Sequence, residues 1–425
     1  MNREIIRNDA LGEQYSVIHH PSGLDLLIWK MEGFSTTEAL FATKYGSINT
    51  RFRTDKTGDF IDVPEGIAHY LEHKLFENED TDVFDLYAKT GASANAFTSF
   101  DETAYTFSTS DNWEQSLEIL LDFVQKPYFT KESVDKEQGI IAQEIKMYDD
   151  SPERQCFLNL IRAMYVDHPV RIDIAGTVES ISRITPELLY DCYNTFYNLN
   201  NMVLSIAGNV DEDRVIEICD RLLKPSKNIN LETAFPQEPE GVGRKKITAK
   251  FPVGVPLFSI GFKSKPCSGV EYEKRGIAAS LLMQLLIGST SPLHKELFDE
   301  GLINSQFGFE EFSGTGSFFS CIISGESHDP EEVRSRLMKE IRRVKKEGLD
   351  RERFEMLKRS KYGGIIRSLN NVENCADSMV ESYFNGTSVF DSAEQLAAIT
   401  PEDCMKALDE LFNEDNSAIS IVETI

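Results

Sequence analysis

Apolar and polar positions along this chain follow two periods, and stretches of the two kinds take turns. The runs Tyr105 to Ser108, Met202 to Ala207, Phe318 to Ile323 and Ala418 to Val422 are short and rich in β-branched or aromatic residues, which predicts strands. Between them lie longer stretches whose apolar residues recur every three or four positions. Trp113 to Val124 and Glu331 to Lys346 are the clearest, and both predict amphipathic helices with one stripe packed inward. The segment from about Pro64 to Phe76 reads the same way, with Pro64 near its first turn and Ile67, Leu71 and Leu75 as its apolar stripe. Strands and long helices mixed in this order predict an α+β fold, with helices on one side of a largely antiparallel sheet.

Comparison of the chain with itself sharpens that prediction. Ile184-Thr185-Pro186-Glu187 recurs as Ile399-Thr400-Pro401-Glu402, and the same offset of 215 aligns Asn198 with Asn413, Asn201 with Asn416, and Ser205-Ile206 with Ser420-Ile421. In each copy Thr caps a helix, Pro occupies its first turn, and an Asn-containing turn then leads into a strand. An offset near half the 425 residues implies two related halves, since a solenoid repeats every ~20–50 residues. The expected division is an N-terminal domain over residues 1–230, a linker over 231–246 where Pro, Gly and charge replace apolar periodicity, and a homologous C-terminal domain over 247–425.

Composition narrows the classes of function. A formal charge of −26 argues against a nucleic-acid backbone as ligand, because neutralising phosphates requires clustered Lys and Arg. No apolar run reaches the ~20 residues that span a bilayer, and the first residues lack the layout of a secretion signal, so a cytoplasmic location without membrane contact is expected. The seven cysteines are odd in number, widely spaced and without CxxC pairs, and are expected to be reduced thiols.

The candidate chemistry lies in His69-Tyr70-Leu71-Glu72-His73. On a helix these spacings put His69, Glu72 and His73 together on the side opposite Ile67, Leu71 and Leu75. Two imidazoles one turn apart can hold one metal ion, but a hydrolytic zinc site takes three protein ligands and keeps its fourth position for water. The missing ligand is sought in residues 136–145, another helix-like stretch, where Glu137 and Glu144 share a stripe beside an apolar one formed by Val134, Ile141 and Ile145. Glu144 could ligate while Glu137 orients a ligating histidine; spacing alone leaves open that both are a solvated helix face. Glu72, placed between two ligands, is the candidate base that takes a proton from water and passes it to a leaving amine. A purely structural metal would need four ligands, often cysteines, and Cys156 is the nearest at more than eighty residues from His73. Zinc suits this donor set best, although manganese or cobalt would also accept it. His19, His20, His168, His294 and His328 have no partner spacing and are expected to be structural or exposed.

Histidine and glutamate in this order form the inverzincin signature. With Asn95-Ala96-Phe97-Thr98, Thr103-Ala104-Tyr105, the run from Glu137 to Glu144 and the run from Tyr148 to Pro152, the chain resembles the insulinase and pitrilysin family of zinc peptidases over essentially its whole length. The resemblance implies two homologous domains enclosing a cavity, as in mitochondrial processing peptidase. It also implies Glu144 as third zinc ligand, Glu137 as its support, and the strand Asn95, Ala96, Phe97, Thr98 as a sheet edge along which a peptide substrate lies. Relatives that work alone carry an Arg and a Tyr in the second half, where this chain has Leu297 and Asn304. The expectation is therefore a zinc endopeptidase of short or unfolded peptides acting as a homo- or heterodimer with a related subunit. A noncatalytic assembly or processing subunit of the same fold is the alternative. Lys295, the cation near Leu297, reads as a solvated helix residue.

Overall fold

A computed structural model describes residues 2–79 and 82–425 of the chain. Two compact units emerge, one comprising Met1–Ile145, Asp173–Ala234 and Ile366–Phe390, the other Lys146–Ile172, Phe235–Ile365 and Asp391–Ile425.

The first unit is built on a seven-stranded sheet in the order Asn2–Asn8, Glu13–His19, Asp25–Lys30, Met202–Gly208, Thr37–Thr43, Thr103–Thr109, Ser93–Thr98. Every pairing is antiparallel except that of Asp25–Lys30 with Met202–Gly208. The second unit repeats the plan with five strands, Lys246–Phe251, Ser417–Thr424, Leu257–Ser264, Phe318–Glu326 and Gly308–Gly314, where only the first pair is parallel. The offset of 215 carries Ser93 to Gly308 and Thr103 to Phe318, each the first residue of a strand, so the internal homology extends well beyond the segments that announce it. Thr185 and Thr400 cap the helices Pro186–Phe196 and Pro401–Leu411, their hydroxyls accepting from the backbone N–H groups of Leu188 and Asp403.

The expectation of helices on one side of the sheet needs correction. In the first unit one face packs on Ile67–Leu75, Trp113–Val124 and neighbouring helices, and the other is covered by Val372–Asn385 through Val372, Cys375, Ala376, Met379 and Val380. The central strands Thr37–Thr43 and Met202–Gly208 are buried at every position, as strands covered on both faces must be. The second unit is served in kind by Pro152–Met164, which lies on Leu257–Ser264 and Ser417–Thr424. Gly261 permits that approach: a Cβ there would stand 2.4 Å from the Met164 sulfur. The two units are thus not contiguous halves. One crossing, between Ala234 and Phe235, falls within residues 231–246, but each half also lends a helix to the sheet of the other unit. Among the described residues no single helix is long and apolar enough to cross a membrane, and all seven cysteines are free thiols.

Burial of one carboxylate makes stability depend on pH. Glu38 lies on a central strand, 8% exposed. Burial pushes its carboxyl up to about 7; Ser108 offsets part of this by hydrogen bonding, while the charges of Glu373 and Asp377 add to it. A carboxyl whose pKa is raised on folding binds its proton more tightly in the folded state. The folded state therefore loses stability as pH rises from the unfolded value near 4.5 to about 7. Glu38→Gln is expected to raise the apparent melting temperature of the first transition at pH 8, by an amount corresponding to ~1–3 kcal/mol, and to leave it nearly unchanged at pH 4.5. Scanning calorimetry at the two pH values checks this.

Candidate metal centre

The helix carrying both histidines spans Ile67–Leu75 and starts later than the sequence suggests. Gly66 precedes it with φ of 86°, so Pro64 lies outside the first turn. Glycine is required there by space as well as by dihedral, since a Cβ would stand 2.4 Å from the Ala175 carbonyl oxygen. Ile67, Leu71 and Leu75 are buried as the stripe predicts. So is Tyr70, whose hydroxyl donates to the Val134 carbonyl and ties this helix to Lys131–Asp149. On that second helix Val134, Ile141 and Ile145 face the core, and this fixes where Glu137 and Glu144 emerge.

The structure brings all four expected groups together. The imidazole rings of His69 and His73 lie 4.6 Å apart between centroids. Their Nε2 atoms face the Glu144 carboxylate, His69 at 3.8 Å from Oε1 and His73 at 3.5 Å from Oε2. Those separations exceed the ~3.2 Å limit of a good N–H···O hydrogen bond. They approach the ~3.4 Å between neighbouring donors of a tetrahedral ion with bonds of ~2.1 Å. Two neutral nitrogens and one carboxylate at this spacing fit a zinc ion. His73 turns its other nitrogen to Glu137, with Nδ1 and Oε1 3.0 Å apart, which fixes the ring orientation and leaves Nε2 aimed at the site.

Glu72 stands beside this set, its carboxylate within 4.8 Å of the two imidazole donor atoms. Thr98 Oγ1 donates to its Oε2 at 3.2 Å. Burial raises the Glu72 carboxyl and the Glu144 charge adds to that, against the opposing pull of His73 and the Thr98 hydrogen bond. Burial pulls His73 down, but its hydrogen bond to Glu137 and the charges of Glu72, Glu137 and Glu144 outweigh it and leave the imidazole raised. For Glu137 burial pushes upward, and the hydrogen bond and charge of His73 prevail, holding it below its ordinary value.

Ser93–Thr98 is an edge strand, paired only with Thr103–Thr109. Its side chains alternate: Asn95 and Phe97 are exposed, whereas Ala94 and Ala96 pack on the core beneath. Thr98, on the same strand, directs its hydroxyl to Glu72. Sequence reasoning missed this contact, and it missed the buried hydroxyl pair of Tyr105 and Tyr197, 2.9 Å apart; no spacing rule announces either. His20 and His168 are buried and hydrogen-bonded, to Ser22 and Ser317 respectively, and burial lowers His168 to about 4. His19 lies beside Asp25. In the second unit Leu297 is wholly buried in the core, the Asn304 amide donates to Glu326, and Lys295 is an exposed partner of Asp299.

Residues 56–178, which include every one of these metal-site groups, match the family description "Insulinase (Peptidase family M16)", and residues 183–361 match "Peptidase M16 inactive domain". The chain belongs to the insulinase family, peptidase family M16. It is 41% identical over 403 residues to YmfH of Bacillus subtilis, called an uncharacterized zinc protease, with 94% of each chain covered. A crystal structure of a putative M16-like peptidase from Alicyclobacillus acidocaldarius superimposes with a TM-score of 0.94 at 35% identity, covering 100% of this chain and 99% of that one. A protease from Helicobacter pylori matches in fold, with a TM-score of 0.83 at 22% identity over 96% of this chain and 99% of its own.

Proposed function

We propose that this M16 chain is a zinc-dependent endopeptidase of short or unfolded peptides, with His69, His73 and Glu144 as metal ligands and Glu72 as general base. The observation that carries the reading is the placement of both Nε2 atoms against one carboxylate at 3.8 and 3.5 Å, too far for hydrogen bonds and close to the spacing of donors around one ion. When bound, zinc would polarise a peptide carbonyl and acidify a water. Glu72 takes a proton from the attacking water and returns it to the leaving nitrogen. Thr98 holds Oε2, so Oε1 is the oxygen left to move that proton. Glu137 keeps His73 in the tautomer whose Nε2 has a free lone pair. The open edge Ser93–Thr98 offers main-chain hydrogen bonds to an extended peptide, with Asn95 and Phe97 on its outward face.

The reading includes a partner. Leu297 and Asn304 provide no cation or phenol toward a developing oxyanion, and a related subunit, in a homodimer or heterodimer, would supply them. A cytoplasmic location belongs to the same proposal and is supported by the seven free thiols. The alternative, a noncatalytic processing subunit, predicts bound metal with no cleavage under any pairing. Metal analysis followed by a peptide-cleavage assay, alone and with a related chain, separates the two.

The role of Glu137 has its own test. Glu137→Gln keeps the shape of the side chain but weakens its hold on the imidazole, and zinc affinity is expected to fall about 10–100-fold. Competition against a chromophoric chelator measures this without reference to activity; an unchanged affinity would remove Glu137 from the supporting role.

A further inference from the structure

Glu72 and Glu144 are the same kind of donor, and both stand within reach of the two imidazoles. One Glu72 oxygen and one nitrogen from each of His69 and His73 lie within 4.8 Å of one another; Glu144 is 3.8 and 3.5 Å from the two Nε2 atoms. A catalytic ion must take one of these carboxylates and leave the other free, because a fourth protein ligand would fill the position that such a site keeps open. Helix geometry does not make that choice, since residue 72 shares its side of the helix with both histidines. The difference lies in what holds the Glu72 carboxylate. Thr98 Oγ1 donates to its Oε2 at 3.2 Å. Thr103 Oγ1 lies 3.4 Å from the same hydroxyl but is uncharged, so the carboxylate is the better acceptor of the Thr98 proton. The backbone around Thr98 is fixed as well. Thr98 pairs with Thr103, the wholly buried residue whose hydroxyl donates to the Tyr45 carbonyl at 2.8 Å. In the turn that follows, the Ser47 and Ile48 N–H groups donate to the Ser99 and Phe100 carbonyls at 3.1 and 3.0 Å. Gly46 lies so close to that turn that a Cβ would stand 2.3 Å from the Asp101 nitrogen. A hydroxyl on so constrained a hairpin holds its acceptor in place and does not follow it.

We propose that Thr98 is the positioning residue that keeps Glu72 from ligating the metal and so reserves it for proton transfer. The proposal rests on the zinc-site reading given above. For Glu72 to ligate, its side chain must rotate toward the ion, and the anchored Oε2 resists that rotation because a hydrogen bond to a charged group is costly to give up. Without the anchor, Glu72 is free to become a fourth protein ligand, which holds the metal more tightly but occupies the place of the water. Loss of the hydroxyl therefore acts in opposite directions on two properties: zinc affinity rises while turnover falls. A threonine that only supported the fold would, on removal, lower both.

The test is the zinc affinity of the full-length chain, measured by competition against a chromophoric chelator. Thr98→Val keeps the shape of the side chain without its hydroxyl, and affinity is expected to rise about tenfold. Thr98→Ser keeps the hydroxyl and should match the parent. In a Glu72→Gln background, where residue 72 has lost its charged donor, Thr98→Val should change affinity by about twofold or less. Cobalt in place of zinc gives a second measurement. Azide should shift the visible absorption of the cobalt-loaded parent, which has an open position, and should leave that of Thr98→Val unchanged. Unchanged or weaker zinc binding by Thr98→Val overturns the proposal, as does a gain that persists without the Glu72 carboxylate or an azide shift that survives in the variant. If circular dichroism shows Thr98→Val unfolded, Thr98→Ala carries the same expectations. Failure of the parent chain to bind zinc, or binding that His69→Ala leaves intact, would remove the metal-site reading itself, so the two failures are distinguishable.

Discussion

Glu72→Gln is expected to retain about one divalent ion per chain while cleavage of an unstructured peptide falls by about 10²–10⁴-fold, the usual contribution of a positioned acid–base group. Glu144→Gln should behave in the opposite sense, losing metal first and activity as a consequence. The contrast matters because Glu72 is itself close enough to both imidazoles to be counted among possible ligands. A set of His69, Glu72 and His73 would all come from one short helix, whereas Glu144 reaches both Nε2 atoms from the neighbouring helix. Glutamine keeps the size of the side chain and one neutral oxygen but cannot accept the proton, so Glu72→Gln separates proton transfer from ligation. Metal content by atomic spectroscopy, read beside turnover, decides: if Glu72→Gln empties the site and Glu144→Gln does not, the two roles are exchanged.

Mixing this chain with a related subunit that carries an arginine and a tyrosine in its second half is expected to raise turnover about a hundredfold or more over either chain alone. Loss of a single donor at a developing oxyanion costs about that much. The buried Leu297 explains why the chain cannot restore the group by a side-chain rotation: its position faces the core of the second unit. Asn304 is committed to Glu326, and Lys295 to Asp299. Full turnover by the purified chain alone, at the level of the mixture, would remove the reason to invoke a partner.

Much of this molecule is legible in its sequence. The α+β class, the internal duplication and its offset of 215 follow from periodicity and self-comparison, because capping and turn chemistry are local and each copy had to satisfy them separately. The pairing of His69 with His73 was equally local, since one helical turn fixes it. Glu144 was different. Spacing left it as either a ligand or a solvated residue, and the family resemblance alone favoured the first. The contact between the two helices, through Val134, Ile141 and the Tyr70 hydroxyl, determines that its carboxylate meets both imidazoles.

Tertiary structure alone decided the remainder. The late start of the histidine helix comes from Gly66 pressed against the Ala175 carbonyl, a contact between residues more than one hundred positions apart. Thr98 belongs to a strand whose sequence suggested substrate contact, and only the sheet register turns its hydroxyl toward Glu72. The exchange of helices was hidden for the same reason. The apolar face of Val372–Asn385 declares that the helix must be buried, but hydrophobic burial has no direction, so the sheet that receives it is set by the path of the whole chain. Sequence determined which elements form and which chemistry they could hold; long-range packing determined which of those groups meet.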